Sequence, residues 1–373
     1  MNLLIKSCFI ITVNQNDEIL ENSNICISDG RIVSVGKVPN NFFPDKIIDA
    51  TNHIVMPGLI NTHTHVPMTL FRNYADDLSF WTWLMKKIKP AEDCLSAEHV
   101  YWGAKLGVLE MIKSGITCFS DMYFFMEEVA KVIDESGIRA FVSGILMDVG
   151  GSGSQYMKDA VDFYDNWHKK AEGRVNAIFG PHSVYLCSPG YLKELKTEVY
   201  RRNSIIHIHL SETIREIEES KELFNKTPVK HLEDLGLLEC RILAAHCVHV
   251  FEDEIDILRN NKVSVLNNPT SNLKLGNGFA PIRKYINKGL NVALGTDGAS
   301  SNNNLNLFEE MHLVSIINKA INKDTEILNA RTVIRMATIN GAKALGLEKE
   351  IGSIEVGKKA DIILIDVQKA HFY

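Results

Sequence analysis

Seven cysteines are scattered through the 373 residues, and no two of them form a C-x-x-C pair. An odd, unpaired set argues against a disulfide framework and for reduced thiols in a cytoplasmic protein. Positive charge is also short, since 40 Lys and Arg against 46 Asp and Glu leave a net charge of −6. No basic stripe is available for nucleic acid or an anionic membrane, so a small, neutral or cationic substrate is the natural partner. No apolar run approaches the length of a membrane span. The apolar start Met1–Ile11 is interrupted by Lys6 and has no small-residue cleavage site after it, so it reads as a strand rather than a leader. Low-complexity segments and short repeats are missing too. What is left is an ordinary globular composition, 45% apolar and 23% charged, long enough for one large domain with a smaller one beside it. Nothing sets the oligomeric state, and a homo-oligomer is compatible with the sequence.

Residues 1–56 read as short strands, with Phe9–Val13, Ile25–Ile27 and Ile32–Val35 separated by polar or glycine breaks. From residue 57 the rhythm changes to apolar, strand-length runs alternating with amphipathic, helix-length segments. Eight such runs end near His63, Asp121, Asp148, His182, His209, His246, Asn267 and Asp297. Ser96 is placed to cap one of the intervening helices, with Gly115 just beyond its end, and Ser188-Pro189 opens another. Eight strand–helix units predict an α/β fold of the TIM-type (β/α)₈ barrel, with a doubly wound sheet as the alternative. The barrel is expected over 57–347. The stretch Gly352–Asp366 looks strand-like, so 348–373 is expected to return and complete a small β-domain with 1–56. That C-terminal part reads as truncated: either a fragment, or a reduced domain with an exposed strand edge.

The chemistry gathers at the strand ends, where such barrels hold their active sites. In Asn61-Thr62-His63-Thr64-His65 the histidines alternate along a strand and share one face. Strand five contributes His207, His209 and then Glu212; strand six His246; strand eight Asp297. His63, His65, His209 and Asp297 form an N₃O set suited to one divalent metal, foremost Zn²⁺, with Fe²⁺ or Mn²⁺ as substitutes. Any one of these histidines alone would more often be a hydrogen-bonded core residue. Glu212 has the competing reading of a carboxylate interacting with a helix N-terminus.

The segments Pro57–His65, Gly180–Ser183, His209–Thr213, Ala245–His249, Ser271–Gly278 and Gly295–Gly298 resemble the amidohydrolase superfamily, and within it the 5-methylthioadenosine/S-adenosylhomocysteine deaminases. The resemblance covers nearly the whole chain. It implies hydrolytic deamination of an adenine nucleoside (5-methylthioadenosine, 5′-deoxyadenosine, adenosine or S-adenosylhomocysteine) to the inosine analogue and ammonia, through a metal-bound hydroxide. It implies that His63, His65, His209 and Asp297 bind the metal, and that His246 and Asp297 orient the water and take its proton. Glu212 would deliver protons to the ring and the leaving ammonia, His182 would contact the base, Glu92 the ribose hydroxyls, and Ser301 the substrate. Binuclear relatives need a carboxylated lysine at the end of strand four. Val175–His182 ends without one, which favours a single ion. Similar motifs occur in chlorohydrolases and in guanine- or triazine-type aminohydrolases, which remain the alternative. A non-catalytic assembly protein is the remote one, since all four ligand positions and Glu212 are present.

Four points stand apart from that resemblance. Glu92 also reads as a plain first-turn glutamate after Pro90. Phe80, Trp81, Trp83 and Leu84 suit either a wall over the substrate or ordinary packing. His207 is an extra inward histidine, either supporting a ligand or filling the core. And no arginine occurs in Phe141–Leu146 or Gly150–Tyr156, where relatives accepting S-adenosylhomocysteine hold its carboxylate. Arg139 lies too early in its strand to serve. Substrates lacking that carboxylate are therefore expected to be preferred.

Overall fold

The computed structural model describes residues 1–370. The N-terminal segment forms β1 (Asn2–Ile11), β2 (Ile19–Ser28), β3 (Arg31–Gly36), β4 (Lys46–Asp49) and β5 (His53–Pro57). Alternate apolar residues of these strands, among them Ile5, Ile10, Ile25, Ile27, Ile32 and Val55, bury into one small core. The chain then enters a parallel series: β6 (Leu59–Thr64), β7 (Ile116–Tyr123), β8 (Arg139–Leu146), β9 (Val175–Ala177) with β10 (Gly180–Pro181), β11 (Ile205–Leu210), β12 (Arg241–His246), β13 (Ser264–Asn267) and β14 (Asn291–Leu294). β15 (Ile362–Asp366) returns to the first sheet, antiparallel to β5, giving the order β15-β5-β1-β2-β3 with β4 beside β1.

The parallel series closes on itself, which separates a barrel from a doubly wound sheet. One arc runs β6-β7-β8-β9/β10 and the other β11-β12-β13-β14. Phe179 N–H donates to Ile205 O at 3.0 Å and His207 N–H to Phe179 O at 2.8 Å, joining strands four and five. Thr296 N–H and Asp297 N–H both donate to His63 O, at 3.1 and 3.0 Å, joining strand eight to strand one. Inside, Ile60, Cys118, Phe141, Ile178, Ile205, Leu243, Leu266 and Ala293 form a buried plug with one residue from each strand. Strand four is interrupted at residues 178–179, and beyond the break Gly180 passes so close to strand three that a Cβ there would lie 2.4 Å from Ser143 Oγ.

The expected helix signals operate: Ser96 Oγ accepts from His99 N at the start of the helix Ala97–Lys113, and Ser188 Oγ accepts from Tyr191 N at the start of Pro189–Arg202. Gly115, at φ +86°, turns the chain out of the first of these. Asp148 and Asp297 lie beyond the strands they were expected to end. The closing stretch needs a larger correction. Of Gly352–Asp366 only Ile362–Asp366 is strand, because Gly352 and Gly357 take φ of +87° and +92° and break the extended backbone. The turn-rich part still ties into the first sheet, through Ile354 N–H to Thr12 O at 2.7 Å and Ile32 N–H to Lys358 O at 2.9 Å. Among the described residues no helix is long and apolar enough to cross a membrane.

Candidate active site

His63, His65, His209 and Asp297 converge at the C-terminal mouth of the barrel. His65 Nε2 lies 3.3 Å and His63 Nε2 3.4 Å from the same oxygen, Asp297 Oδ1, and His209 Nε2 lies 3.4 Å from His65 Nε2. The opposite ring nitrogens are occupied. His65 Nδ1 meets Met122 O at 2.6 Å and His209 Nδ1 meets His182 O at 2.8 Å. A carbonyl only accepts, so both Nδ1 atoms carry the hydrogen, and in the neutral rings each Nε2 is a bare lone pair. Burial holds His209 well below the usual histidine range and His63 down at about 4, so these rings are neutral at physiological pH. Fully buried, His63 Nε2 has no hydrogen-bond partner. One proton could bridge only one of these contacts. A divalent cation satisfies all of them, and the donor set fits one.

Asp297 is built for that role. Burial works to raise its carboxyl, but the group is held well below the carboxylate range, and the donors around it favour its charged form. Its Oδ1 accepts from Gly298 N at 2.8 Å, and its Oδ2 from Ser271 Oγ at 2.6 Å and Ser301 Oγ at 2.8 Å. Gly295 leaves His63 its space, since a Cβ there would fall 2.8 Å from that of His63.

Beside the cluster, His246 Nε2 lies 3.9 Å from Glu212 Oε1, while His246 Nδ1–H donates to Asn272 Oδ1 at 2.9 Å. Burial opposes a charge on His246, yet Glu212, Asp297 and Asn272 together raise its pKa. Burial also raises Glu212, against the pull of His246 and of Asn277, whose Nδ2–H donates to Glu212 Oε1 at 2.9 Å. The macrodipole reading of Glu212 does not hold. Thr213 is the N-cap of Ile214–Phe224 and the acidic residue of its first turn is Glu216. Glu216 accepts from the backbone N–H of Ser211 at 2.9 Å and of Glu212 at 2.7 Å, which leaves the Glu212 side chain facing the cavity.

His182 and Glu92 line the same cavity. Burial takes His182 down to about 3, and its Nδ1 pairs with Ser183 Oγ at 3.1 Å. Burial lifts Glu92 to about 7, opposed by the neighbouring Tyr123 hydroxyl. Phe80, Trp83 and Leu84 form part of the wall, whereas Trp81 lies outside it, its ring centroid 4.0 Å from the Arg215 guanidinium. Ser301 stands apart from its expected role: it is not among the cavity-lining residues, because its buried hydroxyl is turned to Asp297. Several groups in or around the site escaped the sequence reading. Ser271, Asn272 and Asn277 come from a noted motif that carried no assigned roles. Tyr123, fully buried with its hydroxyl beside Glu92, and Lys89 at the rim carried no signal of their own.

Comparison with known proteins agrees with this geometry. The model of the amidohydrolase family matches residues 54–372. A 5-methylthioadenosine/S-adenosylhomocysteine deaminase of Thermoanaerobacter pseudethanolicus is 51% identical over 375 aligned positions, covering 100% of this chain and 87% of the relative. A 5′-deoxyadenosine deaminase of Methanosarcina acetivorans is 45% identical, covering 99% of this chain and 85% of the relative. Among solved structures, an adenosine deaminase of Xanthomonas campestris with bound zinc superposes with a TM-score of 0.95 at 34% identity, over 99% of this chain and 86% of that one. The chain belongs to the amidohydrolase family.

Proposed function

We propose that this protein deaminates an adenine nucleoside hydrolytically at C6 of the ring, using one Zn²⁺ held by His63, His65, His209 and Asp297. The observation that carries this reading is one cavity lined by His65, His209, Asp297, Glu212 and Glu92, with His63 clustered against His65 and Asp297. The names of the full-length relatives support it. A bound divalent ion supplies a Lewis acid that brings the pKa of water from 15.7 to about 7. Asp297 and His246 orient the attacking water and accept its proton. Glu212, whose pKa burial raises, delivers a proton to the ring nitrogen adjacent to C6 and then carries one to the departing ammonia. His182 faces the base. Ionised Glu92 accepts two hydrogen bonds from the vicinal diol of the ribose. The catalytic unit is residues 57–347, with 1–56 and 348–373 forming the small β-domain. The seven free cysteines suit a reducing, cytoplasmic setting.

The test is ammonia release by Zn²⁺- and Mn²⁺-loaded protein on methylthioadenosine, 5′-deoxyadenosine, adenosine, S-adenosylhomocysteine, guanine and a chlorotriazine, with chloride followed separately. Turnover of the first three is expected. Turnover of guanine or the triazine alone would keep the barrel and the metal site and overturn the nucleoside reading.

Glu92 makes a second expectation measurable. Its pKa is raised to about 7, so it becomes protonated as pH falls through that value and loses acceptor capacity. The kcat/KM for nucleosides should fall on that acidic limb through a rise in KM. Glu92→Gln should lower kcat/KM at pH 8 roughly tenfold, the worth of about one charge-assisted hydrogen bond, and erase the limb. A variant that matches the wild type at pH 8 and keeps the acidic limb would refute the sugar contact.

A further inference from the structure

Each ligand imidazole is oriented through its far nitrogen, but not by the same kind of partner. His65 and His209 donate to backbone carbonyls. His63 instead meets another histidine: its Nδ1 lies 2.8 Å from His207 Nε2, and His207 Nδ1 lies 3.1 Å from Ser120 Oγ. The two rings stand edge to face, 4.9 Å between centroids at 80°. His207 and Ser120 are fully buried, and His207 is not among the residues lining the cavity, so substrate does not account for it. We propose that His207 is a positioning residue for the metal centre, acting through His63.

A carbonyl can only accept, so it dictates the tautomer of the ring that donates to it. An imidazole can donate or accept, so the proton between His63 and His207 has two directions. If His207 donated, neutral His63 would carry its hydrogen on Nε2 and could not coordinate. If His63 Nδ1–H donates, Nε2 presents its lone pair to the centre, and His207 must carry its own hydrogen on Nδ1. Ser120 Oγ is the acceptor there, and it anchors the coordinating direction of the chain His63→His207→Ser120. Partners of this type on ligand histidines change metal affinity by roughly 10–100-fold when removed. This assignment rests on His63 being a ligand, as proposed above.

The test compares two replacements of similar volume by Zn²⁺ affinity, measured on metal-stripped protein in competition with a chromophoric chelator. Gln at 207 can accept from His63 Nδ1–H through its amide oxygen and donate toward Ser120, whereas Leu can do neither. His207→Leu should weaken Zn²⁺ binding at least tenfold, and His207→Gln by less than about threefold. Equal affinities of both variants with the wild type would overturn the proposal. So would equal losses in both, which would mark His207 as packing only. Should the Leu variant fail to fold, judged by circular dichroism of the stripped protein, Ser120→Ala decides: a loss of severalfold in Zn²⁺ affinity is expected, and none would overturn the chain. A wild type that takes up no stoichiometric zinc would instead overturn the metal-site reading beneath it.

Discussion

Glu212→Gln is expected to lower kcat on methylthioadenosine by about 10²–10⁴-fold, the usual worth of a positioned general acid–base group, while bound zinc should stay stoichiometric. The substitution is nearly isosteric. Its amide oxygen can still accept from Asn277 Nδ2, 2.9 Å away in the native chain, so the loop keeps its place. The Glu216 clamp on the backbone N–H groups of Ser211 and Glu212 does not involve the Glu212 side chain at all. What disappears is the proton, since an amide neither delivers one to the ring nor returns one to ammonia. KM should change little, because His182 and Glu92 are untouched. His65→Ala is the contrasting control: it removes a proposed ligand, whose Nε2 lies 3.3 Å from Asp297 Oδ1, and both metal and activity should be lost together. A Glu212→Gln enzyme within threefold of wild-type kcat would show that another group carries the proton.

How much of this was legible depended on whether a feature was local in sequence. His63 and His65 are readable because strand periodicity alone puts alternate residues on one face. His209, His246 and Asp297 are readable because each lies at or just past the end of a strand in a recurring strand–helix unit. The role of His207 was not, because its partner His63 is 144 positions away on another strand and only barrel closure brings them together. The contact of Ser301 with Asp297 was not legible either: the resemblance offered Ser301 only as a substrate contact, and the direction of its hydroxyl, onto Asp297, is set by the local backbone. Tyr123 and Lys89 are ordinary residues in ordinary positions until the segment carrying Phe80 to Glu92 folds over the mouth. The C-terminal strand was overextended because β-rich composition outweighed two glycines whose positive φ could not be foreseen.

The same geometry bears on which nucleoside is preferred. Methylthioadenosine should exceed S-adenosylhomocysteine in kcat/KM by on the order of 10–10²-fold, because a carboxylate brought into this cavity finds no buried cationic partner. Strand three and the loop after it present Ile145, Met147 and Val149 to the cavity, with Phe124 beside them, a lining suited to a methylthio group. Arg139 is unavailable, since it sits at the far end of β8 and pairs with Asp361 at 3.2 Å. The structure adds one cation that the sequence reading lacked, Lys89. Its side chain is 51% exposed and stands 3.7 Å from Asp93, so water and that carboxylate already screen it, and its pull on a ligand is worth no more than about 1 kcal/mol. Lys89→Ala should therefore lower kcat/KM for S-adenosylhomocysteine by less than about fivefold, while leaving methylthioadenosine unchanged. Val149→Arg, which places a guanidinium on the strand-three loop, should narrow the gap between the two substrates by raising the S-adenosylhomocysteine rate. A native enzyme that turns over S-adenosylhomocysteine with the higher kcat/KM would sink the argument, and a large loss in Lys89→Ala would then identify the lysine as the carboxylate's partner.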